Sequence, residues 1–260
     1  MLRKEHIRKY FFSKTASAIK HLEKFNKKAE PDELHHFRVD IKKLKAVLIL
    51  VKSHHANGHL LKLFKPINQV FKKAGDIRTI DVNLDLISGF PDVKKNFVAK
   101  LQKQRKEKAK KFGNATKRNS EVLNDCCKKI SESLFDIDER YIHRKFRKHT
   151  HKAAVSFSRN QGDMEELHNN RKKIKMLIYT YEHFPDTISK KLNINKRYLT
   201  KVQSTIGDFH DRALARDILA VARYKNTRDF QQIAIDMEKK QRSIEKLTKD
   251  FEKKVNLKYN

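Results

Sequence analysis

An all-α fold is predicted by three features of the sequence. Glycine and proline are scarce, 6 and 4 among 260 residues, and nearly all stand where an apolar pattern stops. Between these stops the apolar residues recur with a helical period. The alternating apolar and polar runs that make half-buried strands are essentially missing.

Taken in order, the punctuation sets out the helices. A first segment, 3 to 28, ends before Pro31, and a second, 32 to 54, runs on towards Gly58. The pattern at 59 to 74 stops at Gly75 and holds Pro66, which predicts a kink or a helix start. Segments at 79 to 88 and 92 to 112 are bounded by Gly89, Pro91 and Gly113. Further helices are expected at 120 to 134, 138 to 159 and 163 to 183, the last two parted by Gly162 and the last closed by Pro185. Gly207 separates 195 to 206 from 211 to 224, and a long terminal helix is expected at 228 to 256.

Charge narrows the range of partners. Lys and Arg number 61 against 31 Asp and Glu, a formal net charge of +30 that raises the self-repulsion of any compact state. A polyanion would relieve it: nucleic acid, an anionic membrane surface, an acidic protein or a polymeric phosphate. Charge alone does not choose among these. The two cysteines, Cys126 and Cys127, are adjacent, a geometry that strains a bond between them, so the chain reads as a reduced intracellular protein. The opening Met-Leu-Arg-Lys-Glu-His has no apolar leader, and no stretch approaches the roughly 20 apolar residues of a bilayer span. A cytoplasmic, soluble protein is expected.

The chain also repeats itself. Leu34-His35-His36-Phe37-Arg38 returns 133 residues later as Leu167-His168-Asn169-Asn170-Arg171, and Gly75-Asp76-Ile77 returns after 132 as Gly207-Asp208-Phe209. Ile7 to Phe12 loosely resembles Ile142 to Arg147. A tandem duplication of a helical plan of about 130 residues is the simplest account. Such a pair is expected to place the repeated motifs facing one another across a shared groove.

On the second segment, at about 100° per residue, His35, Arg38, Lys42 and Lys45 fall within roughly 80° of arc. Phe37, Ile41, Leu44 and Leu48 fall in a neighbouring arc, so the helix carries a core face and a separate cationic face. The counterpart has a cationic row of His168, Arg171 and Lys175 flanked by Tyr179, with Leu167, Ile174, Leu177 and Tyr181 as its core row. Such a row is ordinarily a solvated face. Each like-charge pair in it costs a few tenths of a kcal/mol in an isolated helix, and its retention in both halves points to an anion settling there.

These residues resemble the CHAD domain, the conserved histidine α-helical domain. The hallmark helix His-x-x-Arg-x-x-x-Lys/Arg-x-x-Lys/Arg stands here as His35, Arg38, Lys42 and Lys45, and again as His168, Arg171 and Lys175. A second hallmark, Gly-x-x-Arg-Asp-x-Asp-Val, is matched by Gly75 to Val82, and its degenerate twin by Ile206 to Asp211. The resemblance implies one CHAD domain over 1–260, built as two tandem pseudo-symmetric four-helix subdomains, 1–115 and 136–260, around a central basic cavity. It implies non-enzymatic binding of inorganic polyphosphate, often at polyphosphate granules. The ligand-binding residues it points to are His35, Arg38, Lys42, Lys45, Arg78, His168, Arg171 and Lys175; Arg105, on the inner face of the basic run Lys103 to Arg118, is expected to extend the cavity wall. Thr79, Ile178 and His210 depart from the pattern, so the second half is expected to hold fewer contacts.

Individual side chains carry their own expectations. As ligand contacts His35 and His168 would donate to phosphate and tighten binding as pH falls through about 6.5; as core histidines they would be satisfied by a carbonyl. Arg78 follows a glycine at an expected helix start, where backbone N–H groups also favour anions. Asp81 and Asp211 stand where a cap is expected. His54, His55 and His59 read as an exposed loop end, since neither an HExxH pattern nor a cysteine partner accompanies them, and no metal or cofactor is expected. Lys103 to Arg118 and Lys239 to Lys254 read as solvated helix surface. A basic nucleic-acid-binding protein is the alternative; the lack of Trp and of a reading motif weighs against it. An enzyme acting on phosphoanhydrides would call for carboxylates holding Mg2+ beside the cationic rows, and the sequence offers no such cluster.

Overall fold

The structure, a computed structural model, describes residues 1–55, 59–90, 95–159, 163–221, 225 and 227–256. Among these residues the helices are α1 Lys4–Lys28, α2 Pro31–His55, α3 His59–Leu63, α4 Lys65–Ile87, α5 Lys95–Asn114, α6 Thr116–Glu132, α7 Glu139–Arg159, α8 Met164–Tyr181, α9 Asp186–Leu192, α10 Lys196–Val221, α11 Arg228–Thr248 and α12 Phe251–Val255. The described residues hold no strand, only isolated bridges joining Leu2 to Ile137 and Ile194 to Asn256. The all-α expectation holds. No described helix is long and apolar enough to cross a membrane.

Two compact units divide the chain: Met1–Leu84 with Lys95–Tyr141, and Asp85–Lys94 with Ile142–Asn260. In the first, α1 packs on α2, α5 and α6, and α3 joins α2 to α6. In the second, α10 packs on α8, α11 and α12. Each unit buries its own apolar stripes.

Burial follows the repeat helix by helix. Ile7, Phe11, Thr15, Ala18 and Leu22 of α1 are buried, and so are Ile142, Phe146, Thr150, Ala153 and Phe157 of α7, each 135 residues on. Leu34, Phe37, Ile41 and Leu44 of α2 match buried Leu167, Asn170, Ile174 and Leu177 of α8. Ile67, Val70, Ala74 and Ile77 of α4 match buried Leu199, Val202, Ile206 and Phe209 of α10. The core rows expected on α2 and α8 are in place, except that Tyr181 is only half-buried and its hydroxyl donates to the Ser189 carbonyl at 3.4 Å.

Several boundaries differ from expectation, for physical reasons. Gly75 and Gly207 break nothing: each lies inside a continuous helix, α4 or α10. Asp81 and Asp211 are therefore mid-helix residues and not caps. The observed caps are elsewhere, Asp163 accepting from the Glu165 N–H and Thr227 from the Phe230 N–H. Pro66 stands in the first turn of α4, where its missing N–H costs nothing, which is the helix start expected of it. The long terminal pattern breaks at Lys249 and Asp250, where Asp250 takes a left-handed φ of 57°. A short helix, α9, fills the expected connection after Pro185. Gly58, Pro91 and Gly162 lie outside the described residues. Cys126 and Cys127 are buried and unbonded in α6, and burial pushes both thiols up from their ordinary pKa.

Candidate functional site

In the first unit the row on α2 is anchored to α4 by its arginine. Arg38 Nη1 donates to the Phe71 carbonyl at 2.8 Å, and the guanidinium lies over the Phe71 ring, 4.1 Å from its centroid. The helix surface beneath it is Gly75. A Cβ placed there would stand 2.6 Å from Arg38 Nη1. A side chain at this point would have to displace the guanidinium, which occupies its space.

The second unit repeats the device. Arg171 Nε donates to the Gln203 carbonyl at 3.2 Å, and a Cβ on Gly207 would stand 2.5 Å from Arg171 Nη2 and 2.9 Å from Cζ. In both units the accepting carbonyl lies four residues before the glycine. The two hallmark motifs are thus one piece of architecture, with the arginine of the first seated on the glycine of the second. Sequence reasoning found both motifs and missed their contact; the near-equal offsets, 133 for the arginine and 132 for the glycine, were the available signal.

Around each seated arginine the field is positive. Arg38 is half-buried, burial lowers its pKa, nearby Arg78 adds to this and Asp76 opposes it. Arg78 reaches this site from the middle of α4, so the helix N-terminus expected beside it does not exist. Lys42 is half-buried and Lys45 exposed, the latter donating to Asn68 Oδ1 at 3.4 Å. Lys175 is held down to about 8, chiefly by burial and then by Arg171, with Asp211 opposing. Arg38, Arg171 and Lys175 have no ion-pair partner among the described residues.

The histidines divide. His35 is exposed, which removes the core-histidine reading for it; its ring meets His36 edge-on, and His36 stacks on His21, whose Nδ1 lies 2.6 Å from Glu33 Oε2. His168 is half-buried, 4.8 Å from the His210 ring between centroids, and its Nδ1 is buried with no hydrogen-bond partner among the described residues. Burial lowers the pKa of both His168 and His210. His168 and His210 therefore take up protons at a lower pH than an ordinary histidine.

Arg105 is committed elsewhere. Its Nε donates to Asp81 and its Nη2 to the Ala29 carbonyl at 2.6 Å. Asp81 is 6 % exposed, so this guanidinium neutralises a buried carboxylate and ties α5 to α4 and to the end of α1. In the second unit the position of Asp81 is taken by buried Ala213, and Lys240 of α11, 135 residues after Arg105, pairs instead with Asp208 of α10 at 3.0 Å. Arg105 is a strut of the first unit.

His54 is not at an exposed loop end: it lies within α2, its ring meets Tyr141 edge-on at 4.7 Å and its Nε2 accepts from the Asp138 N–H at 3.4 Å. No group of three or more His, Cys, Asp or Glu that could hold a metal lies among the described residues. A groove of about 1350 Å³ in the second unit, lined by Arg147, Thr150, Asn193, Lys249 and Phe251 among others, includes none of the row residues.

The family model for the CHAD domain matches residues 11–220. No curated protein matches the chain. The crystal structure of the CHAD domain from the plant Ricinus communis is similar over 95 % of this chain and 92 % of that one, with 18 % identity and a TM-score of 0.64, a likeness of fold. With the family match covering most of the sequence, the chain belongs to the CHAD domain family.

Proposed function

We propose that this chain binds inorganic polyphosphate without catalysis, through the cationic rows of its two units. The observation that carries the reading is the seated arginine. In both units a half-buried guanidinium is held in one place by a backbone carbonyl and a glycine, with no carboxylate paired to it among the described residues. Evolution ordinarily compensates a half-buried cation with an acid; here the compensating charge is the ligand. The remaining guanidinium N–H groups offer a planar fork to phosphate oxygens, and the lysines add mobile point charges. Polyphosphate carries charge on every phosphoryl unit and has neither bases nor apolar surface to be read, so convergent Arg, Lys and His donors suffice. Binding is expected to weaken with salt as counterions are released.

A titration of the purified chain with long-chain polyphosphate against charge-matched duplex DNA tests the reading. Polyphosphate is expected to be retained in preference, and the Lys42→Glu/Lys175→Glu variant to lose it; equal or stronger retention of DNA would reverse the conclusion in favour of nucleic acid. Orthophosphate release in the presence of Mg2+ is expected to stay at background, and turnover would make the protein an enzyme. The place of action that accompanies this reading is the cytoplasm, at polyphosphate granules.

A further inference from the structure

The repeat allows each residue of one unit to be set against its counterpart in the other, and at one seam the two units have parted in charge. In the first unit Lys14 of α1 pairs with buried Asp40 of α2 at 3.4 Å. The offsets that match the buried residues place His149 of α7 where Lys14 stands and Lys173 of α8 where Asp40 stands. The alignment is secured two turns further along, where the His21 to Glu33 contact at 2.6 Å is replaced by the Ser156 to Glu166 hydrogen bond at 2.7 Å. So an ion pair in one unit has become two nitrogen bases in the other.

The neighbours move the same way. Lys145, Lys148 and Lys152 on α7 take the positions of Tyr10, Ser13 and Ser17 on α1. At about 100° per residue Lys145, Lys148, His149 and Lys152 share an arc of roughly 100° beside the core face. Lys173 faces them from α8, lying two residues, or about 200°, round the helix from Arg171. The seam is therefore a different face of α8 from the motif row.

From this we infer that the α7–α8 seam of the second unit is a separate oxyanion site, formed by Lys145, Lys148, His149, Lys152 and Lys173, that takes a condensed phosphate. The five groups have no ion-pair partner among the described residues, and Lys173 donates only to Asn170 Oδ1 at 3.4 Å. The carboxylate of this seam, Glu166, already accepts from Ser156, which in turn accepts from Asn170. His149 Nε2 is buried with no hydrogen-bond partner among the described residues. Burial, and then Lys145, Lys152, Lys173 and Lys148, hold His149 down to about 4. An anion on the seam would reverse the lysines' effect on that ring. The run from Lys145 to Lys152 rises about 10 Å along the helix, which suits a string of phosphoryl groups better than a single orthophosphate.

The His149 imidazole reports occupancy directly. Its proton resonances, assigned with His149→Gln, are followed against pH in the full chain with and without tripolyphosphate. Tripolyphosphate is expected to move the titration up by at least one pH unit and to act at a tenfold or more lower concentration than orthophosphate. The shift is expected to vanish in Lys148→Glu/Lys152→Glu, whose side chains are exposed, and in Lys173→Asp, which restores the acid of the first unit. It is expected to persist in Lys42→Ala/Lys175→Ala, which disables the motif rows and so separates the two sites. An unmoved His149 titration in the native chain, a shift that survives Lys148→Glu/Lys152→Glu, or one lost with the motif rows would overturn the seam site. Equal potency of orthophosphate would overturn the condensed-phosphate assignment.

Discussion

Replacing Gly75 by Ala should behave unlike the same change at an ordinary helical glycine. In a helix interior the change is worth about 1 kcal/mol in favour of Ala. Here the new Cβ would stand 2.6 Å from Arg38 Nη1, so the guanidinium must leave its seat on the Phe71 carbonyl and ring. A hydrogen bond from a charged donor contributes about 1.5–3 kcal/mol, and its loss outweighs the helix gain. The net expectation is a loss of about 0.5–2 kcal/mol in the native background. In an Arg38→Ala background the seat is already empty, and Gly75→Ala should stabilise by about 1 kcal/mol. Urea unfolding of the four proteins gives the coupling, expected at about 1.5–3 kcal/mol. Gly207 with Arg171 should show the same sign, since there the Cβ would also crowd Cζ at 2.9 Å. A coupling below about 0.5 kcal/mol would refute the idea that the glycine exists to receive the arginine.

Arg105→Ala should destabilise by about 3–5 kcal/mol by stranding buried Asp81, while Asp81→Ala/Arg105→Ala should recover much of the loss; thermal melts decide it. Ala29 ends α1 at a φ of 52°, and Ala29→Gly should stabilise by about 1 kcal/mol in the same assay. Lys175 is charged below about 8 and neutral above it, so polyphosphate affinity should fall between pH 7 and 9, and Lys175→Arg should flatten that fall in a pH series of binding isotherms. His149 has a folded pKa of about 4 against an ordinary 6.5, so the unfolded chain binds more protons between these values. Stability should therefore drop as pH falls from 6.5 towards 4, and His149→Gln should remove that part of the slope.

The sequence made α2 and α8 legible because one helix displayed two periodic faces, and the core face at Phe37, Ile41 and Leu44 is buried as the period required. Gly75 and Gly207 look like stops in the sequence and are interior to α4 and α10. Glycine punctuates by default, and nothing local tells that an arginine from a neighbouring helix is lying on it. The error spread to Asp81, which looked like a cap only while a helix was thought to begin there. Arg105 was noticed as part of a basic run, and its true partners, Asp81 and the Ala29 carbonyl, stand 24 and 76 residues away. The α7–α8 seam was hidden for a related reason: its meaning lies in a comparison with Lys14 and Asp40, and that comparison needs offsets that burial in three dimensions secures.

The buried pair Cys126 and Cys127 has a practical side. With both sulfurs enclosed in α6 and held in the thiol form, neither should compete for a maleimide at neutral pH. A single cysteine introduced at an exposed position such as Lys148 or Lys152 should accept a fluorophore by itself. The native background is thus ready for site-directed reporters, without first removing residues from its own interior.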